Sequence, residues 1–154
     1  MGYPPGAVSL SKLLPVRPEV AERVDRLEIP FNRWGVDPYG IDREALAQFF
    51  SGMWWLYRYY FAVSVYGIEH VPPRGRVMLV GNHSGGVALD GFVTIGSTFF
   101  EMDPPRLAEG MAEKFIARFP VMGQWSSRLG HVTGLPEHAV RLREDDRMLL
   151  VYPE

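Results

Sequence analysis

A chain of 154 residues, 47% of them hydrophobic, is long enough to bury one substantial core. Its formal charge of −2 offers no general attraction to nucleic acid or anionic lipid. The absence of cysteine excludes disulfides, thiol nucleophiles and thiolate zinc sites, and fits a reducing compartment.

The start, Met1-Gly2-Tyr3-Pro4-Pro5-Gly6, lacks the basic head and apolar run of a signal peptide. Residues 1–41 carry Pro4, Pro5, Pro15, Pro18, Pro30 and Pro38 and read as an irregular, proline-rich arm, with one short helix from Glu19 to Leu27. Residues 42–154 read as a single unit. Asp42 caps a helix running to about Ala62, and Glu44 is favourable in its first turn. Leu46, Phe49, Met53, Leu56, Tyr57 and Tyr60 fall on one face, with Glu44, Gln48, Ser51 and Arg58 on the other. Trp55 and Tyr59 also fall on that wet side, and such rings favour surfaces that are half apolar and half wet, as at a membrane interface. A spanning helix needs roughly 20 mostly apolar residues, and Ser51, Gly52 and Arg58 interrupt this run. The segment therefore reads as a helix lying in an interface, or as an aromatic-rich helix packed under the domain.

Val63 to Ile68 reads as a short strand, followed by a turn through Pro72-Pro73-Arg74-Gly75. The valine-rich run 76–80 reads as a buried strand that breaks at Gly81-Asn82. His83, Ser84, Gly85 and Gly86 follow the break, and Asp90 opens a helix that runs to Phe100. Arg106 to Met111 reads as a strand, and Glu113–Arg118 with Val121–Leu129 as a helix interrupted at Pro120. His131-Val132-Thr133 forms a short strand or turn between Gly130 and Gly134. Pro136 suits the first position of a helix to about Arg143, and Met148 to Tyr152 is a last buried strand. Strands alternating with helices predict an α/β fold, a mostly parallel sheet flanked by helices. A terminal strand placed just before Pro153-Glu154 would expose an apolar edge, so the unit is expected to be incomplete after Glu154.

Open α/β sheets place their chemistry at the carboxyl ends of strands, which singles out His83 as a candidate catalytic residue. Asp90, at the start of a helix, is also a natural cap. His70, His131 and His138 do not combine with His83 in a metal-ligand spacing, so no metal is expected. Gly81, Gly85 and Gly86 do not make a dinucleotide-binding fingerprint.

Asn82-His83-Ser84-Gly85-Gly86 ending in Asp90 resembles the first motif of the PlsC-like glycerolipid and lysophospholipid acyltransferases, and is most similar to their monoacylglycerol/diacylglycerol acyltransferase-like branch. Tyr66-Gly67-Ile68-Glu69-His70-Val71-Pro72 resembles the lead into that motif, Gly130-His131-Val132-Thr133-Gly134 sits where the second would fall, and Val151-Tyr152-Pro153-Glu154 looks like the start of the third. Three motifs in order are far more specific than one.

The resemblance implies transfer of an acyl group from acyl-CoA or acyl-carrier protein to a hydroxyl, with no resident cofactor, on the cytoplasmic face of a membrane. His83 would be the general base and Asp90 the carboxylate that orients it. Asn82, Ser84, Gly85, Gly86, Gly130 and Glu154 would contact substrate. Backbone N–H groups near Gly85 and Gly86, or at the start of the following helix, would receive the oxyanion. Six residues separate His83 from Asp90, where four is commonest in the family; longer loops resemble the monoacylglycerol branch. Phosphate-acceptor members carry an arginine in the second motif, and Thr133-Gly134-Leu135-Pro136 has none, which points to a neutral or unusual acceptor. Lys114, Arg118 and Arg128 would either meet CoA phosphates or line solvated helix faces. Two rival functions use the same residues differently: a lipid or thioester hydrolase built on His83 and Asp90, and a non-catalytic membrane-binding module built on residues 49–62.

Overall fold

A computed structural model describes residues 15–82, 89–112, 128–130, 132–133 and 136–153. Helix α1 (Pro18–Asp25) begins with proline at its first position, where the missing N–H has no helical partner to lose. Helix α2 (Arg43–Trp55) begins at Asp42, whose side chain accepts the Ala45 N–H at 3.0 Å. The strands are β1 (Val77–Val80), β2 (Ala108–Ala112), β3 (Val132–Thr133) and β4 (Met148–Val151). Between them lie α3 (Leu89–Phe100) and α4 (Pro136–Glu144).

All strand pairs are parallel, in the order β1-β4-β2-β3. The expected α/β architecture is therefore present. The last strand, however, is interior: Met148 pairs with both Val77 and Ala108, so the uncovered edge anticipated at the end of the chain does not exist there. Its burial on both faces explains the uninterrupted apolar run, since Met148, Leu149 and Leu150 are all fully buried. The path β1-α3-β2 crosses the sheet in one direction and β3-α4-β4 returns in the other. Right-handed crossovers running in opposite directions place α3 and α4 on opposite faces.

The principal core lies on the α3 side. Val20 and Val24 of α1, Leu46, Phe50 and Met53 of α2, and Ile95, Phe99 and Phe100 of α3 join Ala108, Met148 and Leu150 there. Phe50 stacks on Phe99 with ring centroids 3.7 Å apart. Gly96 lets α2 and α3 approach, because a Cβ there would lie 2.8 Å from the Tyr57 ring. Gly96→Ala is expected to cost about 1–3 kcal/mol of stability through overpacking, measurable by urea unfolding. An unchanged midpoint would contradict this packing.

The helix after Asp42 has the expected length but not the expected phase. Beyond Trp55 it widens into a π turn (Leu56–Tyr60), closed by the Phe61 N–H donating to the Leu56 carbonyl at 2.8 Å. Tyr57 stays in α-helical phase with buried Leu46, Phe50 and Met53, whereas Tyr60, at the far end of the wider turn, is exposed and Leu56 is partly so, contrary to the α-helical reading. Ser51, expected on the wet face, is buried and accepts the Arg17 N–H at 2.9 Å. The predicted strand Val63–Ile68 is also absent. Val63 and Val65 alternate with exposed Ser64 and Tyr66, yet no strand among the described residues pairs with them, and Gly67 (φ 78°) turns the chain into a 3-10 turn, Ile68–His70. Alternation predicts a strand only where a ladder partner lies alongside.

The other face of the sheet carries a buried charge cluster. The Arg147 guanidinium donates to Glu109 Oε1 at 2.5 Å and to Asp37 Oδ2 at 2.7 Å. Asp37 Oδ1 in turn accepts the Tyr39 and Ile41 N–H groups, both at 2.8 Å. Burial pushes the Glu109 carboxyl up to about 7, while Arg147 opposes that rise. The cluster ties the turn before α2 to β2 and β4.

Candidate active site

Parallel pairing sets the carboxyl ends of β1 and β4 side by side, since Val80 pairs with Val151 and the Gly81 N–H donates to the Val151 carbonyl at 3.2 Å. Gly81 and exposed Asn82 follow β1 at this end, and Tyr152 and Pro153 follow β4. Helix α3 begins close by, and the Asp90 Oδ1 accepts the N–H of Gly91 at 2.8 Å within its first turn. The carboxylate thus makes the local, cap-like contact that an Asp at a helix start favours.

His83, Ser84, Gly85, Gly86, His131 and Glu154 lie outside the described residues, as do Lys114 and Arg118. The separation of the His83 ring from Asp90 lies outside them as well. What the structure places is the frame: a strand end on one side and a helix start on the other, with residues 83–88 between them in sequence. Gly130 is not part of this frame. It is buried with φ 85°, and a Cβ on it would press on Leu107 at 3.2 Å and Glu109 at 3.3 Å. Glycine is demanded there by backbone conformation and packing. Arg128 is exposed, and its carbonyl accepts the Asp42 N–H at 3.0 Å.

Two residues at the frame were not legible as functional candidates. The Tyr152 ring lies beside both Gly81 and Gly91, and its hydroxyl meets Thr94 Oγ1 at 3.1 Å. Thr94 Oγ1 donates to the Asp90 carbonyl at 2.8 Å, so the Tyr152 hydroxyl must donate to Thr94. Burial raises the Tyr152 phenol above its ordinary range and the negative Asp90 adds to this, so the donor stays protonated at neutral pH. The advance signal for Tyr152 was its place in Val151-Tyr152-Pro153-Glu154, which resembles the start of the third motif but gave the ring no role; nothing in the sequence marked Thr94.

A cavity of about 290 Å³ opens at the opposite end of the sheet, lined by Arg74, Gly75, Arg106, Glu109, Arg147 and neighbours. Its position at the amino ends of the strands, and the engagement of Arg106 with the Pro72 and Gly75 carbonyls, mark it as a structural crevice. Away from the sheet, Trp55, Tyr59 and Tyr60 expose 57%, 64% and 68% of their surface on the α2–π turn. Among the described residues no helix is long and apolar enough to cross a membrane.

A family model described as Acyltransferase, of the PlsC type, matches residues 62–154, which include β1, α3, the Tyr152 end of β4 and everything between. An uncharacterized protein of Mycobacterium tuberculosis is 27% identical over 128 residues, covering 79% of this chain and 34% of the relative. A counterpart in Mycobacterium leprae, also uncharacterized, is 28% identical over 126 residues, 80% of this chain and 32% of its own length. The chain therefore spans about a third of the length of the curated relatives it matches. No solved structure matches it. With more than half of its residues under the family model, and a parallel α/β sheet with the strand-to-helix frame in place, this chain belongs to the acyltransferase family.

Proposed function

We propose that the protein is an O-acyltransferase that moves a fatty acyl group from acyl-CoA or acyl-carrier protein to a hydroxyl of a glycerolipid-type acceptor. The observation that carries this reading is the family match over residues 62–154, in which the Asn82-His83-Ser84-Gly85-Gly86…Asp90 motif falls in sequence between the end of β1 and a helix start; β1 is not the buried strand expected, since Met78 and Val80 are exposed. His83 is the general base. Its neutral imidazole takes the acceptor hydroxyl proton as the oxygen attacks the thioester carbonyl, a contribution of typically ~10²–10⁴-fold in rate. Asp90 holds the imidazole in the right tautomer and stabilises the imidazolium. The tetrahedral oxyanion is received by backbone N–H groups near Gly85 and Gly86, or at the start of α3. Collapse breaks the C–S bond, the imidazolium returns its proton to the leaving thiolate, and ester and thiol are released. Ser84 contacts substrate, because no acyl-enzyme is needed.

The exposed Trp55, Tyr59 and Tyr60 support peripheral contact with a membrane surface through residues 49–62, on the cytoplasmic face, where a lipid acceptor resides. The second motif supplies no arginine to clamp a phosphomonoester, so the acceptor is neutral and the protein falls in the monoacylglycerol/diacylglycerol acyltransferase-like branch. Acyl transfer by the purified protein to monoacylglycerol and to lysophosphatidate, compared at equal concentration, tests this. Preference for monoacylglycerol is expected; a strong preference for lysophosphatidate would defeat the acceptor assignment.

A further inference from the structure

The two glycines that bracket the candidate base are separated in sequence but meet the same aromatic ring. A Cβ on Gly81 would lie 3.0 Å from Tyr152 Cε1, and one on Gly91 would lie 3.6 Å from Cε2. One edge of the ring therefore faces the end of β1 and the other faces the first turn of α3. The hydroxyl completes the link by donating to Thr94, which donates to the carbonyl of Asp90. Tyr152 is anchored in its turn by β4, the interior strand.

We propose that Tyr152 is a positioning residue for the reaction, a pin that fixes the end of β1 against the start of α3 and so sets where His83 and Asp90 stand relative to one another. The proposal rests on the reading of His83 as general base. Tyr152 touches neither donor nor acceptor in this role. Misplacement of reacting groups by about 1 Å can cost 10²-fold in rate, so a pin at both anchors of a short segment affects turnover far more than global stability. The same logic assigns Gly81 a role in the pin, because a methyl group there would push the ring off its seat.

The test compares Tyr152→Phe, Tyr152→Leu, Gly81→Ala and the double variant Gly81→Ala/Tyr152→Leu, in acyl-transfer kinetics and in backbone hydrogen exchange. Tyr152→Phe keeps the ring and should lower kcat by about 2–10-fold, the size expected for one hydrogen bond. Tyr152→Leu and Gly81→Ala should each lower kcat by about 10–100-fold, with the donor KM unchanged. The double variant should be no worse than the worse single, because both act through one contact. Exchange should rise at residues 81–82 and 89–91 in Tyr152→Leu while α2 keeps its protection. Wild-type kcat in Tyr152→Leu, multiplicative losses in the double variant, or no change in exchange at the two anchors would each overturn the proposal. If the wild-type protein showed no acyl transfer, the acyltransferase reading would fail, and the exchange result alone would decide whether Tyr152 joins the two anchors.

Discussion

His83→Ala is expected to lower the rate of acyl transfer by about 10²–10⁴-fold, the span typical of losing a general base, while binding to phospholipid vesicles persists. A hydroxyl is a poor nucleophile until its proton is taken, and His83 is the one histidine that the sequence places between β1 and α3. Trp55 and Tyr59 are exposed at the end of α2 and in the π turn, outside the segment between β1 and α3. Trp55→Ala/Tyr59→Ala should therefore show the reverse pattern, with vesicle binding weakened and transfer to a soluble acceptor retained. Stopped-time product analysis alongside vesicle co-sedimentation reads both. Full turnover in His83→Ala would remove the proposed base, and a vesicle-binding loss as its only defect would favour a non-catalytic membrane module.

The second large effect lies away from the site. Arg147→Met is expected to destabilise the fold by about 3–5 kcal/mol, because removing one partner strands buried charges. Arg147 is nearly buried, and its partners Asp37 and Glu109 are almost completely so. Without the guanidinium, Glu109 escapes by taking a proton, which its raised pKa already favours. Asp37 remains tied to the Tyr39 and Ile41 N–H groups with one oxygen unpaired. Restoring balance by Arg147→Met with Asp37→Asn and Glu109→Gln should recover part of the loss, since the penalty comes from the imbalance. The pH dependence follows with a definite sign. Burial pushes the Glu109 carboxyl up to about 7 from an ordinary 4.5, so its contribution is fully present below 4.5 and fades as pH rises through about 7. Urea unfolding from pH 5 to 8 measures both effects; an Arg147→Met midpoint equal to wild type would show that the cluster does not secure the turn before α2.

The parallel sheet was legible because its elements are short, periodic and punctuated. Pro18 and Asp42 start helices where their chemistry predicts, and the apolar runs at 77–80 and 148–151 are strands. What failed did so for reasons beyond the local pattern. Strand order is a property of pairing, and nothing in Met148–Val151 tells whether that strand closes an edge or slots between β1 and β2. The π turn at Leu56–Tyr60 shifts the helix phase at its far end, so an α-helical wheel misplaces Tyr60. Val63–Val65 carries a strand-like alternation with no ladder beside it.

The candidate site divides in the same way. The His83 and Asp90 motif was readable as a candidate because its residue types and their order resemble the family's first motif, while His83 itself lies outside the described residues. The seat of Tyr152 between Gly81 and Gly91 was not, because it depends on two parallel strand ends and a helix start converging from positions far apart in sequence. Gly130 shows the converse: a motif glycine that, in place, answers to the packing of Leu107 and Glu109.

The most direct measurement of the central claim follows a labelled acyl thioester with and without an alcohol acceptor, in wild type and in His83→Ala. An acyltransferase forms labelled ester only when the acceptor is present, releases one thiol per ester, and loses both with His83. Thioester cleavage at an undiminished rate in the absence of any acceptor, yielding free fatty acid, would contradict it and identify a hydrolase.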